Sequence, residues 1–179
     1  MLLRLLVMAI GLLGAMLTPA TAQTPEDSVK AAYLAKFIPF IVWPETAFVS
    51  ATAPITICVL GADPFGESLD KAAQDTKAGE HAIAVRRMAE PDPDASCHLL
   101  FLGGIDPVIA QATLDAVQGR AVVTVTDDNG VTPHGIITFV TEQKQVRFDI
   151  DDALAAQAGL SISSKLLGLA RNVKQRGAQ

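Results

Sequence analysis

Apolar positions along this chain form three successive patterns: an unbroken run, then helical spacing, then short strand-like blocks punctuated by glycine and proline. The unbroken run extends from Leu5 to Leu17, and Arg4 is the single charge between Met1 and Leu17. Further on, Val29, Tyr33, Phe37 and Phe40 recur at a spacing that puts them on one helical face, which Asp27 or Ser28 can cap. Pro39 removes a backbone donor and Pro44 disfavours helical geometry at Trp43, so the helix is predicted to bend and stop just before Trp43. A polar, alanine-rich linker leads to Pro54.

One theme then repeats: an apolar strand, a glycine turn, an Asp-Pro dipeptide and a helix. Ile55 to Leu60 leads through Gly61 to Asp63-Pro64, and Leu99 to Leu102 leads through Gly103-Gly104 to Asp106-Pro107. Each Asp is expected to cap a helix whose first residue is the Pro, since that position has no use for an N–H. His81 to Arg86 reads as a short strand, and the stretch from Met88 through Pro91 and Pro93 to Ser96 as a loop. Ala121 to Val125 is a further strand ending in the turn Asp127-Asp128-Asn129-Gly130. Ile136 to Val140 and Val146 to Ile150, separated by Glu142-Gln143-Lys144, read as a hairpin added to the sheet. Two helices are predicted to close the domain: Asp152 to Ala158, ended by Gly159, and Ser163 to Val173, with Leu166, Leu169, Ala170 and Val173 on one face. Strands alternating with helices imply a single-domain α/β fold, a three-layer sandwich with a largely parallel sheet and a C-terminal hairpin.

Composition supports a folded domain and narrows its partners. The chain has 179 residues, 50% of them hydrophobic, which suits one domain with a substantial core. Its 14 Lys+Arg stand against 19 Asp+Glu, with no run of three basic residues, so a nucleic-acid backbone is excluded as a partner. Arg4, the apolar run and Ala20-Thr21-Ala22 before Gln23 have the three parts of a secretory signal, which predicts a cleaved leader at residues 1–22 and a mature domain at 23–179. A permanent anchor is the weaker reading, because the run falls short of the ~20 residues that span a bilayer and Pro19 breaks it. No Cys follows the leader's small residues to take a lipid. Export to an oxidising compartment makes Cys58 and Cys97 a candidate disulfide between neighbouring strands; two buried thiols are the alternative.

Motifs for chemistry are near misses. Gly61 to Gly66 lacks the Lys-Ser/Thr of a phosphate loop and the third glycine of a dinucleotide site. Asp127-Asp128-Asn129-Gly130 lacks the spacing and closing Glu of a calcium loop. His81, His98 and His134 have no metal-type partner at helical spacing, and Gly159 to Ser163 lacks the second glycine of a nucleophile elbow. These patterns point to no catalytic residue, metal or cofactor. Two weaker features remain. Asp63, Asp106, Asp127 and Asp128 should meet where the parallel strands end, an acidic crevice suited to a cation or an amine. Trp43, the only Trp, could join Phe37 and Phe40 in an apolar patch for a partner or a second copy, as could the helix carrying Leu166.

Several of these blocks, taken in order, carry a resemblance. Val29-Lys30-Ala31-Ala32-Tyr33-Leu34 with Phe37, Phe40 and Trp43-Pro44, then Ile57 to Gly61 with Asp63-Pro64-Phe65-Gly66, look like the opening of the YfiR-like periplasmic proteins. Cys97 to Phe101, Val122 to Val125, the hairpin from Ile136 to Phe148, and Ala158 to Leu167 follow in the family's order. The resemblance implies a non-enzymatic periplasmic regulator. Such a protein represses an inner-membrane diguanylate cyclase by binding its periplasmic sensor domain, and an outer-membrane, peptidoglycan-associated lipoprotein relieves it by sequestration. It also implies a homodimer. This chain lacks the second cysteine pair that some members carry near the hairpin, has the single Gly135 where two glycines are common, and interrupts its first helix with Pro39. The alternative function is a periplasmic small-molecule binder or transport accessory that uses the acidic crevice.

Overall fold

The computed structural model describes residues 23–92 and 94–177; the predicted leader, Pro93 of the predicted loop and the last two residues lie outside the described residues. Helix α1 (Pro25–Phe37) is capped by Thr24, not by Asp27 or Ser28. Thr24 Oγ1 accepts the Asp27 N–H at 3.2 Å while the Asp27 carboxylate accepts the Thr24 N–H at 3.0 Å, a reciprocal box that satisfies two backbone donors. The buried face is Lys30, Ala31, Leu34, Ala35 and Phe37, and Val29 is 44% exposed. The expected stripe is therefore rotated, because α1 carries apolar residues on two faces and the fit of Phe37 against Phe139 and Phe148 selects one. Pro39 sits in a 3-10 turn (Ile38–Phe40) that turns the chain into strand β1 (Ile41–Val42).

A second 3-10 turn (Glu45–Ala47) lies within the expected linker. There follow β2 (Ile55–Gly61), α2 (Glu67–Asp75), β3 (Ile83–Met88), β4 (Leu99–Gly103), α3 (Pro107–Val117) and β5 (Val123–Asp127). The hairpin β6 (Ile137–Glu142) and β7 (Gln145–Asp151) turns through Gln143 and Lys144, both left-handed at φ 49° and 63°. The chain ends in α4 (Asp152–Gln157), β8 (Ser161–Ile162), α5 (Ser164–Leu167) and β9 (Val173–Lys174). The main sheet runs β3-β2-β4-β5-β6-β7-β9; its first five strands are parallel and β7 is antiparallel to β6. β1 and β8 form a separate antiparallel ribbon. This is the expected α/β sandwich with a largely parallel sheet.

Two expected helices differ. Asp106 caps α3 as predicted, its carboxylate accepting the Val108 N–H at 2.8 Å. Asp63, however, is no helix cap: α2 starts at Glu67 after Gly66, and the Asp63 carboxylate instead closes a turn by accepting the Phe65 and Gly66 N–H groups. Phe65 is fully buried with its ring 4.7 Å from that of Phe101, so the chain dips into the core before the helix can begin. The predicted helix from Ser163 to Val173 shrinks to α5, leaving Leu169 66% exposed. Beyond Gly168 the edge of β7 captures the chain: the Arg171 N–H donates to Phe148 O, and the Asp149 carboxylate accepts Arg171 and Asn172. Pairing with an open sheet edge replaces the last two or so of the three expected turns.

The sheet's faces are covered unequally. On one, α1 and α2 pack over Ile57, Val59, Phe101, Val125 and Phe139. On the other, α3 alone lies over Cys58, Leu60, Leu100, Leu102 and Val122. Among the described residues no helix joins β3 to β4 or β5 to β6. The segment before β6 crosses this second face on polar bonds, with the Gly135 and Ile136 N–H groups donating to Thr126 and Thr124 hydroxyls. Cys58 and Cys97 are bonded, with Cα atoms 5.7 Å apart, because β2 and β4 are neighbours. A crosslink across 39 residues stabilises by roughly 4 kcal/mol in the chain-entropy account.

Candidate functional site

All four predicted acids lie at the edge where the parallel strands end, yet each is engaged within the chain. Asp63 accepts Arg87 Nε at 2.6 Å, and Arg87 reaches on to Asp70 at 2.7 Å, tying β3 to the start of α2. The hydrogen-bonded guanidinium holds the Asp70 carboxyl below its ordinary range. Asp127 meets the Lys30 ammonium at 2.8 Å, and Lys30 also meets Glu26 at 2.8 Å, so α1 is pinned to the end of β5. Burial pushes the Asp127 carboxyl up and Lys30 opposes it; the two carboxylates outweigh burial at Lys30 and keep the ammonium charged. Asp106 is the α3 cap, and Asp128 accepts the Gly130 N–H at 3.1 Å.

The crevice itself is closed. The order in which strands join the sheet reverses between β2 and β4, where an open α/β sheet ordinarily leaves room for a ligand. Here Gly61, at φ +88°, lies so close to Ile105 that a Cβ at position 61 would sit 2.0 Å from Ile105 Cγ2. Ile105 thus plugs the gap between the two turns. Among the described residues no group of three or more His, Cys, Asp or Glu could hold a metal ion.

The predicted aromatic patch is largely interior. Phe37, Trp43 and Leu166 are 1%, 7% and 2% exposed, and only Phe40 is half-buried. Trp43 Nε1 donates to His98 O at 3.2 Å, an internal use for its polar atom. Phe37 is buried on the inner face of α1, and the 3-10 turn after it folds Trp43 back beneath the sheet.

Apolar surface is concentrated elsewhere. Between α3 and the loop after β3 runs a groove of about 310 Å³, walled by Leu60, Met88, Cys97, Leu100, Ile109 and Val122. Val108, 77% exposed, and Ile109, 47% exposed, form one lip. The disulfide anchors the opposite wall through Cys97. Sequence reasoning missed this surface, although α3 carries the signal. Its core face is Ala110, Thr113, Leu114 and Val117; Val108, Ile109, Ala112 and Ala116 form a second apolar stripe, wider than a one-sided helix needs. Asp92 and Arg120 stand in an otherwise largely apolar lining, the kind of exposed apolar surface on which binding sites are commonly built.

No helix among the described residues is long and apolar enough to cross a membrane. No curated protein matches the chain. A family model described as YfiR/HmsC-like matches residues 27–171, from the first turn of α1 to beyond α5. The chain therefore belongs to the YfiR/HmsC-like family, whose members are periplasmic regulators of diguanylate cyclase and not enzymes.

Proposed function

We propose that this protein is exported with loss of residues 1–22 and holds an inner-membrane diguanylate cyclase inactive by binding its periplasmic sensor domain. Cellular cyclic di-GMP falls as a result. The observation that carries this reading is the family match across residues 27–171; the Cys58–Cys97 bond suits an oxidising compartment. The lip of the α3 groove, Val108 and Ile109, is the proposed contact, in place of the buried Phe37, Trp43 and Leu166. Repression needs only that the inactive cyclase be bound more tightly than the active one, since a ligand shifts a conformational equilibrium by its difference in affinity. An outer-membrane, peptidoglycan-associated lipoprotein that takes up the free protein would release the cyclase, and self-association to a homodimer would compete in the same way.

Deleting the gene should raise cyclic di-GMP, promote biofilm and slow swimming, and a leader-less copy should fail to restore the ordinary level. Purified Val108→Asp protein should stay folded and lose binding to the cyclase's periplasmic domain. Unchanged cyclic di-GMP on deletion, together with no binding by the unaltered protein, would overturn the reading. The groove favours one second reading, a periplasmic binder of a small apolar molecule, because its volume of about 310 Å³ lies within the range of ligand pockets. Binding of such a molecule with no cyclase contact would support it.

A further inference from the structure

At the edge where the parallel strands begin, residues 43–54 form a strap held against the sheet by two histidines. His98, 6% exposed, precedes β4. Its Nδ1 accepts the Thr56 N–H at 3.1 Å, and its Nε2 lies 3.2 Å from Ala47 O. An amide N–H only donates and a carbonyl only accepts, so the ring must be neutral with its proton on Nε2. Phe48 lies between the imidazoles, its ring 4.8 Å from His98 and 4.5 Å from His81, nearly parallel to both. His81 Nδ1 donates to Ala53 O at 2.6 Å, and Trp43 Nε1 closes the other end of the strap on His98 O.

We propose that His98, Phe48 and His81 form an acid-released latch: protonation of His98 frees the strap, residues 43–54, while the main sheet stays folded. The two histidines differ in what a proton does to them. His81 donates to a carbonyl, and that bond survives when its ring becomes charged. His98 must accept from Thr56, so a proton on Nδ1 sets two N–H groups against each other in a buried site and costs a hydrogen bond as well. A charged His98 also faces His81 across one phenyl ring. Arg120 lines the same cleft as His98, whereas Glu45 on the strap and Glu80 beside His81 are exposed.

Burial first, and then His81, hold the His98 imidazole below its ordinary range against the opposing pull of Ala47 O. The released state therefore takes up the proton before the latched one. The latch is at full strength above about pH 6.5 and is lost as the pH falls from there through the depressed value. Release uncovers Phe48 and Trp43 at the strand-start edge, where the His98 cleft shares Ala95, Cys97 and Val122 with the α3 groove.

Hydrogen exchange of the mature protein, read by mass spectrometry at about pH 7.5 and about pH 5 and corrected for intrinsic rates, tests the latch. Amides of residues 45–53, and that of Thr56, should lose protection about tenfold or more at the lower pH while those of β4 and β5 keep theirs. Emission from Trp43, the only Trp, should change with the same midpoint. His98→Gln, which can accept from Thr56 but cannot ionise, should abolish the pH dependence, and His81→Gln should move the midpoint up. Equal protection of the strap at both values, loss of the strap and the sheet together, or an unchanged transition in His98→Gln would each overturn the proposal. The wild-type exchange decides the matter even if His98→Gln fails to fold.

Discussion

The two faces of the main sheet solve the same covering problem with different means. On the first, α1 and α2 lie over a continuous apolar layer, and Tyr33, Phe37, Phe139 and Phe148 interlock with ring centroids 5.0 to 6.2 Å apart. On the second, one helix, one disulfide and one loop share the work. Threonines 124, 126 and 138 stand there in place of larger apolar residues, and their hydroxyls bond the crossing chain or one another. The buried apolar cluster on the first face is the larger of the two, so it contributes the larger share of the hydrophobic stabilisation. The second face is held by a covalent bond and local polar bonds, which leaves the outer stripe of α3 free of a packing role. A face that the core does not consume is where a binding protein can place its contacts.

Substitutions can break that contrast, the most damaging first. Phe37→Ala should lose about 3–5 kcal/mol in urea unfolding, because it empties the centre of the aromatic cluster. A loss no larger than that of any second-face variant would make the faces equivalent. Replacing Cys58 and Cys97 together by Ala should cost about 2–4 kcal/mol and lower the melting temperature, and alkylation of the unaltered protein should find neither thiol. Gly135→Ala should cost about 1–3 kcal/mol, since a Cβ there would lie 2.8 Å from Thr124 O, a backbone atom that cannot yield without disturbing β5. A neutral result would show that the loop is loosely seated. Val108→Asp should change stability by less than about 0.5 kcal/mol while abolishing partner binding, which sharpens the contrast by separating fold from function at one position.

The Asp-Pro turns show how far local patterns reach. Both follow a strand and a glycine, and both Asp side chains accept backbone N–H groups. Only Asp106 starts a helix, because Phe65 after the first turn finds a pocket beside Phe101 and Val108 after the second does not. The same competition rotates α1, whose apolar residues allow two faces, and shortens the last helix, where the backbone groups of Phe148 and Ile150 offer Arg171 and Asn172 partners a helix would otherwise supply. The acids of the expected crevice were placed on the correct edge by strand direction alone. Their partners, Lys30 and Arg87, come from elements 97 and 24 residues away.

By itself, then, the sequence determined the strands β2 to β7, the largely parallel sheet with its hairpin, the disulfide partners and the family, but not the short strands β1, β8 and β9. The strands and the hairpin follow from periodicity and turn residues, the disulfide from compartment, and the family from the order of whole blocks along the chain. Tertiary structure alone decided which face of each helix is buried, which partner each acid takes, that Ile105 closes the crevice, and that Val108 and Ile109 remain outside. Those outcomes depend on side chains from distant segments competing for one volume or one charge, and no local pattern records who wins.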